Sequence, residues 1–152
     1  MIEDRTLDAV MEVMEAGFDP HWREAWSRAQ VADSLALPST FLLLLDKDAR
    51  PVLGGEAAAF VLSRQALDEE ELLLIVVHPD QRGRGLGART MARYMDEALR
   101  RGTRRIYLEM RANNPAHALY RRCGFTPIGA RPRYYRTASG EAIDAITFAR
   151  RL

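Results

Sequence analysis

The chain has 152 residues, 47% of them hydrophobic and 28% charged, with a net charge of +1. That length suits one domain with a substantial core, and the composition is that of a water-soluble globular protein. The balanced charge excludes the global basic field of a nucleic-acid binder. The single cysteine, Cys123, excludes an internal disulfide and a cysteine-based metal site, and no apolar run is long enough to span a membrane.

The start, Met1-Ile2-Glu3-Asp4-Arg5, is polar and lacks the apolar region of a signal peptide, so a reduced, cytoplasmic setting is expected. Leu7, Val10, Met11 and Met14 recur at helical spacing, with Gly17 just past the end. A second helix is predicted over residues 21–35, with Trp22, Ala25, Trp26, Ala29, Val31 and Ala32 along it, and Pro38 ends that region. Residues 41–45 read as a short buried strand and Asp46-Lys47-Asp48 as its turn; Lys47 is the only lysine. Residues 51–62 read as the next strand, with a bulge at Gly54-Gly55. Residues 70–77 read as the third, with Glu69 and Glu70 as a solvated turn at its entrance.

The next segment, Val77-His78-Pro79-Asp80-Gln81-Arg82-Gly83-Arg84-Gly85-Leu86-Gly87, follows this apolar run and precedes a helical pattern. A strand passing through a glycine-rich turn into a helix leaves backbone N–H groups pointing outward, where they and the helix dipole attract an anion. The spacing is neither G-x-G-x-x-G nor a P-loop. The helix carries an apolar stripe of Ala88, Met91, Ala92, Met95, Ala98 and Leu99, with Arg100 and Arg101 near its end and Gly102 as its cap. A strand over 105–110 follows, then a short helix over 115–122 ended by Gly124. A long strand or strand-loop runs from Phe125 through Tyr134-Tyr135. Ser139-Gly140 makes a turn into a final strand over 143–148. This order predicts one domain spanning 1–152, an α/β fold with a single mixed sheet and helices on both faces.

The segment Leu108-Glu109-Met110-Arg111-Ala112-Asn113-Asn114-Pro115-Ala116-His117-Ala118-Leu119-Tyr120 and the following Gly124-Phe125 add a second signature. With Arg82, Gly85 and Gly87 of the glycine turn, it resembles the GNAT family of acetyl-CoA-dependent N-acetyltransferases. Leu108-Glu109-Met110-Arg111, Tyr134-Tyr135, Asp144-Ala145 and Phe18-Asp19-Pro20-His21-Trp22 look most like the RimI-type ribosomal-protein alanine N-acetyltransferases within it. The stretch from Glu109 to Tyr120 is one residue shorter than that subgroup leads one to expect, so Asn113 and Asn114 both qualify for the cofactor-contacting asparagine.

The resemblance implies a mostly antiparallel sheet with a splayed cleft. Acetyl-CoA would serve as donor, its pyrophosphate on Arg82, Gly83, Arg84, Gly85, Leu86, Gly87 and Ala88, and its pantetheine arm along Ile75, Val76 and Val77. A backbone N–H near Val77 would polarise the thioester carbonyl. Glu109 is the implied general base, acting through water, with Glu71 as its rival; the alternative for Glu109 is a strand residue paired with Arg105 or Arg111. A protein α-amine, with a pKa of about 7.7–8.0 against about 10.4 for lysine, is within reach of such a base near neutral pH. Tyr120 is the implied general acid for the thiolate. Asn114 or Asn113 would instead cap the following helix. His78 and His117 have no second ligand at metal spacing and read as structural, with no metal expected. Cys123 reads as a small helix-end residue. Arg131, Arg133 and Arg136 with Tyr134 and Tyr135 form either a peptide-binding rim or a solvated strand edge. The implied acceptor is a protein N-terminus, most simply that of a ribosomal protein. The alternatives are a small amine or polyamine, or a non-catalytic CoA-binding regulatory module. Neither nucleic acid nor membrane is an expected partner, and a monomer or homodimer is expected.

Overall fold

The N-terminal repeat forms helix α1 (Asp4–Gly17), which buries Leu7, Val10, Val13 and Met14. The computed structural model describes residues 2–152. After a 3-10 turn at Pro20–Trp22 come α2 (Arg28–Leu35), β1 (Thr40–Leu45), β2 (Ala59–Ala66), β3 (Glu69–Val77), α3 (Leu86–Arg100), β4 (Arg105–Arg111), α4 (His117–Arg122), β5 (Thr126–Arg136) and β6 (Ala142–Arg151). The six strands form one sheet in the order β1-β2-β3-β4-β6-β5. Every pairing is antiparallel except that of β3 with β4.

One face of the sheet packs α1 and α2 through Leu7, Val10, Val13, Met14 and Val31 against Phe60, Leu62, Leu74 and Val76. The other packs α3 and α4 through Met91, Tyr94, Ala98 and Tyr120 against Val61, Leu72, Ile106, Leu108 and Phe148. Each large apolar side chain so buried contributes about 1.5–3 kcal/mol. Strand β3 feeds both layers. Leu62 faces Leu74 while Ser63 faces Leu72, which leaves Leu73 as a bulge. The extra residue changes the phase of the strand, so Leu72 packs in the α3 layer and Leu74 in the α1 layer.

The end of α1 lies hard against β3. A Cβ at Gly17 would overlap Val76 Cγ1, so Gly17→Ala is expected to destabilise the fold by about 1–3 kcal/mol through overpacking. The midpoint of urea unfolding measures this.

Three expectations need correction. The predicted helix over 21–35 is broken, because Arg23 is left-handed (φ 57°) and helix α2 starts only after Ser27. Ser27 and Gln30 form a capping box, in which the Ser27 side chain accepts from Gln30 N–H and the Gln30 side chain accepts from Ser27 N–H. The strand predicted over 51–62 begins only at Ala59. Gly54-Gly55 form a turn closed by Ala57 N–H to Gly54 C=O at 3.0 Å, not a bulge. Finally, Glu70 is not solvated. It is wholly buried, and its carboxylate accepts hydrogen bonds from Ser63 Oγ at 2.8 Å, Tyr94 OH at 3.3 Å, Arg101 Nη2 at 2.8 Å and Thr103 Oγ1. The helix-end Arg101 thus turns inward onto a buried partner.

Candidate active site

Strands β3 and β4 are paired only at Glu69↔Arg105, Glu70↔Ile106 and Glu71↔Tyr107. Beyond those pairs they diverge, and the Leu73 bulge lies where the divergence begins. The gap is a cleft of about 1040 Å³, walled by 73–77 of β3 on one side and 109–111 of β4 on the other. Strand β3 is still held by β2 along its opposite edge. Its edge toward β4 therefore has backbone groups with no strand to pair with, an arrangement suited to an extended ligand. Ile75, Val76 and Val77 all line the cleft.

One end of the cleft is the glycine turn. Gly83 and Gly85 adopt φ values of +75° and +76°, which a side chain would disfavour. The first donor answered within α3 is Arg89 N–H, which bonds Gly85 C=O at 3.1 Å. The N–H groups of Leu86, Gly87 and Ala88 precede it and have no helical acceptor, an arrangement suited to an anion. The side chains divide the work. Leu86 is buried with Leu45 and Ala58, leaving only its backbone for a ligand. Arg82 lines the cleft, but its Nη2 donates to Gly17 C=O at 2.7 Å, tying the turn to the C-terminal end of α1. Arg84 is exposed and stands outside the cleft lining.

Titratable side chains also line the cleft. Glu109 is mostly buried, with Arg131 Nε at 3.2 Å from Oε2 and Thr147 Oγ1 donating at 3.4 Å. Its pairing with Arg105 or Arg111 does not occur. Arg105 bonds Glu69 at 2.7 Å, and Arg111 bonds Glu24 Oε1 at 3.1 Å while stacking 3.8 Å from the Trp22 ring centroid. Tyr120 is buried against Phe125 and Phe148. Burial, reinforced by the Glu24 charge, pushes its phenol well above the ordinary value, so it holds its proton at any physiological pH. Burial also raises the Tyr135 phenol to about 12, helped by Glu109 and Glu24. Glu71 lies where β3 and β4 are still paired, outside the cleft lining. Of the two asparagines, Asn114 lines the cleft and its Oδ1 accepts Ala116 N–H at 2.9 Å. Asn113 turns away and accepts from Arg111 Nη1 at 3.0 Å.

Glu24 and Trp26 also line the cleft, and neither was a candidate from sequence. No local pattern marks Glu24: it lies in a loop, and its partner Arg111 is 87 positions away. Among the described residues, no group of three or more His, Cys, Asp or Glu side chains is arranged to hold a metal ion. No helix among them is long and apolar enough to cross a membrane.

A strand that splays from its neighbour and leads into a glycine turn at a helix start is the arrangement that the resemblance implied, and residues 7–125 match the model of the acetyltransferase (GNAT) family. The chain belongs to the GNAT family. The [ribosomal protein bS18]-alanine N-acetyltransferase of Escherichia coli strain K12 is 41% identical over 96 residues, 62% of this chain and 64% of that protein. The protein of the same name from Salmonella typhimurium is 43% identical over 93 residues, 60% of this chain and 62% of that one. The chain therefore matches just under two thirds of the length of these curated relatives. The crystal structure of the ribosomal-protein-S18-alanine N-acetyltransferase from Escherichia coli superposes with a TM-score of 0.82 at 30% identity, covering 99% of this chain and 90% of that one. In this GNAT chain the six-stranded mixed sheet and its two helical layers are those of the family's solved structures.

Proposed function

We propose that residues 1–152 act as a single N-acetyltransferase domain that moves the acetyl group of acetyl-CoA to the α-amine of a protein N-terminus, most specifically the N-terminal alanine of a ribosomal protein. The observation that carries this reading is the composition of the cleft. The glycine turn lines the same cleft as Glu109, Tyr120 and Tyr135. The likeness to the bS18-alanine N-acetyltransferases supports the choice of acceptor.

The residues fit such a donor. The free N–H groups of 86–88 answer a pyrophosphate, and the open edge of β3 at 75–77 answers the amide groups of a pantetheine arm. Glu109 would take the proton of the attacking amine through water. A backbone donor near Val77 would stabilise the oxyanion. Tyr120, fixed in its protonated form by burial, would protonate the departing thiolate. Asn114 is better placed than Asn113 to face the donor, because the Asn113 side chain is engaged by Arg111. A ribosomal acceptor would place the reaction in the cytoplasm.

The test is incubation of the purified chain with acetyl-CoA, a synthetic peptide beginning with the bS18 alanine, the same peptide with a blocked N-terminus and a lysine, and a polyamine. Mass spectrometry should find one acetyl group on the free N-terminus and none on the blocked peptide. Turnover confined to the polyamine would move the acceptor to a small amine. Binding of acetyl-CoA without turnover of any amine would leave a CoA-binding module.

A further inference from the structure

The strand that brings Tyr135 into the cleft is held out of regular pairing. Between the pairs Arg131↔Ala145 and Tyr135↔Ile143, three residues of β5 (Pro132, Arg133 and Tyr134) lie opposite the single residue Asp144 of β6. Two residues are therefore extra. An insertion of two preserves the face of every side chain, because side chains alternate with a period of two. It does change position along the strand. Without the bulge Arg133 would face Ile143, and Tyr135 would lie two residues, or about 7 Å, further out.

Such a distortion persists only where its backbone groups are satisfied. Arg133 is left-handed (φ 55°), and its N–H donates to the Asp144 carboxylate at 2.8 Å. The backbone carbonyl of Asp144 accepts Ala112 N–H at 2.8 Å, directly beyond the end of β4. Asp144 thus ties the β5 bulge to the strand that carries Glu109 and Arg111. Its side chain is exposed and fills no place in the core. The ion pair of Arg131 with Glu109 lies at the first edge of the bulge and Tyr135 at the second, so the pin sets both ends of the acceptor wall.

We infer that Asp144 is a positioning residue: its carboxylate pins the β5 bulge that sets Tyr135 in the acceptor end of the cleft. This inference rests on the reading that the cleft accepts a protein N-terminus.

Asp144→Ala and Asp144→Asn test it. The asparagine keeps an oxygen that accepts the Arg133 N–H, and the alanine does not. Alanine should raise KM for the acceptor peptide by about tenfold or more, as expected for loss of a charge-assisted hydrogen bond. Acetyl-CoA affinity, measured by calorimetry, should be unchanged, and asparagine should restore most of the acceptor KM. Hydrogen exchange of residues 131–136 gives a readout independent of turnover. It should accelerate in the alanine variant and stay near wild type in the asparagine variant. An unaltered acceptor KM in Asp144→Ala, or an equal loss of acetyl-CoA affinity, overturns the positioning role, as does unchanged exchange. If the wild-type chain acetylates no N-terminus, the proposed acceptor fails, and the exchange measurement still decides whether Asp144 pins the bulge.

Discussion

Glu109→Gln is expected to lower kcat/KM for an N-terminal peptide amine by about 10²- to 10⁴-fold, the span usual for loss of a general base. Acetyl-CoA affinity should stay at its wild-type value. Glutamine matches the glutamate in size and can still accept from Thr147 and Arg131, so the cleft wall should keep its shape. Only the ability to take a proton is lost. An α-amine with a pKa of about 7.7–8.0 is mostly protonated at neutral pH. The residual rate of the variant should therefore climb as pH rises and free amine accumulates. Steady-state kinetics across pH, with calorimetry for the donor, measure both effects. Near-wild-type turnover would remove Glu109 from the proton path and point to Glu24 or Asp19, the other carboxylates lining the cleft.

Glu70→Ala is expected to destabilise the fold by about 3–5 kcal/mol, as when one partner of a buried ion pair is removed. The substitution takes from Arg101 its buried partner at 2.8 Å and leaves it only the half-exposed Glu97 at 3.8 Å. It also strips an acceptor from Ser63, Tyr94 and Thr103, all of which are buried. These groups come from β2, β3, α3 and the segment entering β4, so the loss falls on the closed end of the splayed pair. The same cluster predicts a pH dependence. Burial alone would raise the Glu70 carboxyl, but the hydrogen bonds from Arg101, Thr103 and Ser63 overcome it and hold the group below its ordinary value. A depressed folded-state pKa gives stability that is complete above the unfolded-state value, about 4.3 for glutamate, and is lost as pH falls through the folded-state value. Urea unfolding at a series of pH values should show this acid loss in wild type and a flatter profile in Glu70→Gln. A flat wild-type profile below that range would deny Glu70 its place as a buried anion.

Local chemistry was easiest to read where it depends on neighbours in sequence. The turn from Arg82 to Gly87 is legible because glycines after an apolar run and before an amphipathic stripe specify strand, turn and helix directly. Glu109 and Tyr120 were legible only through the family resemblance, since a lone acid on a strand and a lone tyrosine on a helix are common. The burial of Glu70 is not legible locally, because Glu69 and Glu70 at a strand entrance resemble a solvated turn. Nothing nearby announces that Arg101 and Thr103, some thirty residues on, will donate to Glu70. The broken helix before Ser27 was missed for a related reason: the apolar spacing of Trp22, Ala25 and Trp26 continues through a segment that is not helical, and Trp22 serves as a platform for Arg111.

The sequence by itself determined the family, the mixed α/β order of elements and the glycine turn at the start of α3, because each rests on short-range pattern and on motifs preserved as contiguous residues. Tertiary structure decided the rest of the site. It opened the cleft by ending the β3–β4 pairing after Glu71, turned Asn114 rather than Asn113 toward it, and added Glu24 from a distant loop. It also drew Tyr135 inward through a bulge anchored on Asp144. Strand register, bulge placement and the pairing of buried charges depend on which segments meet across the sheet, and that information is carried by the packed chain rather than by any window of residues.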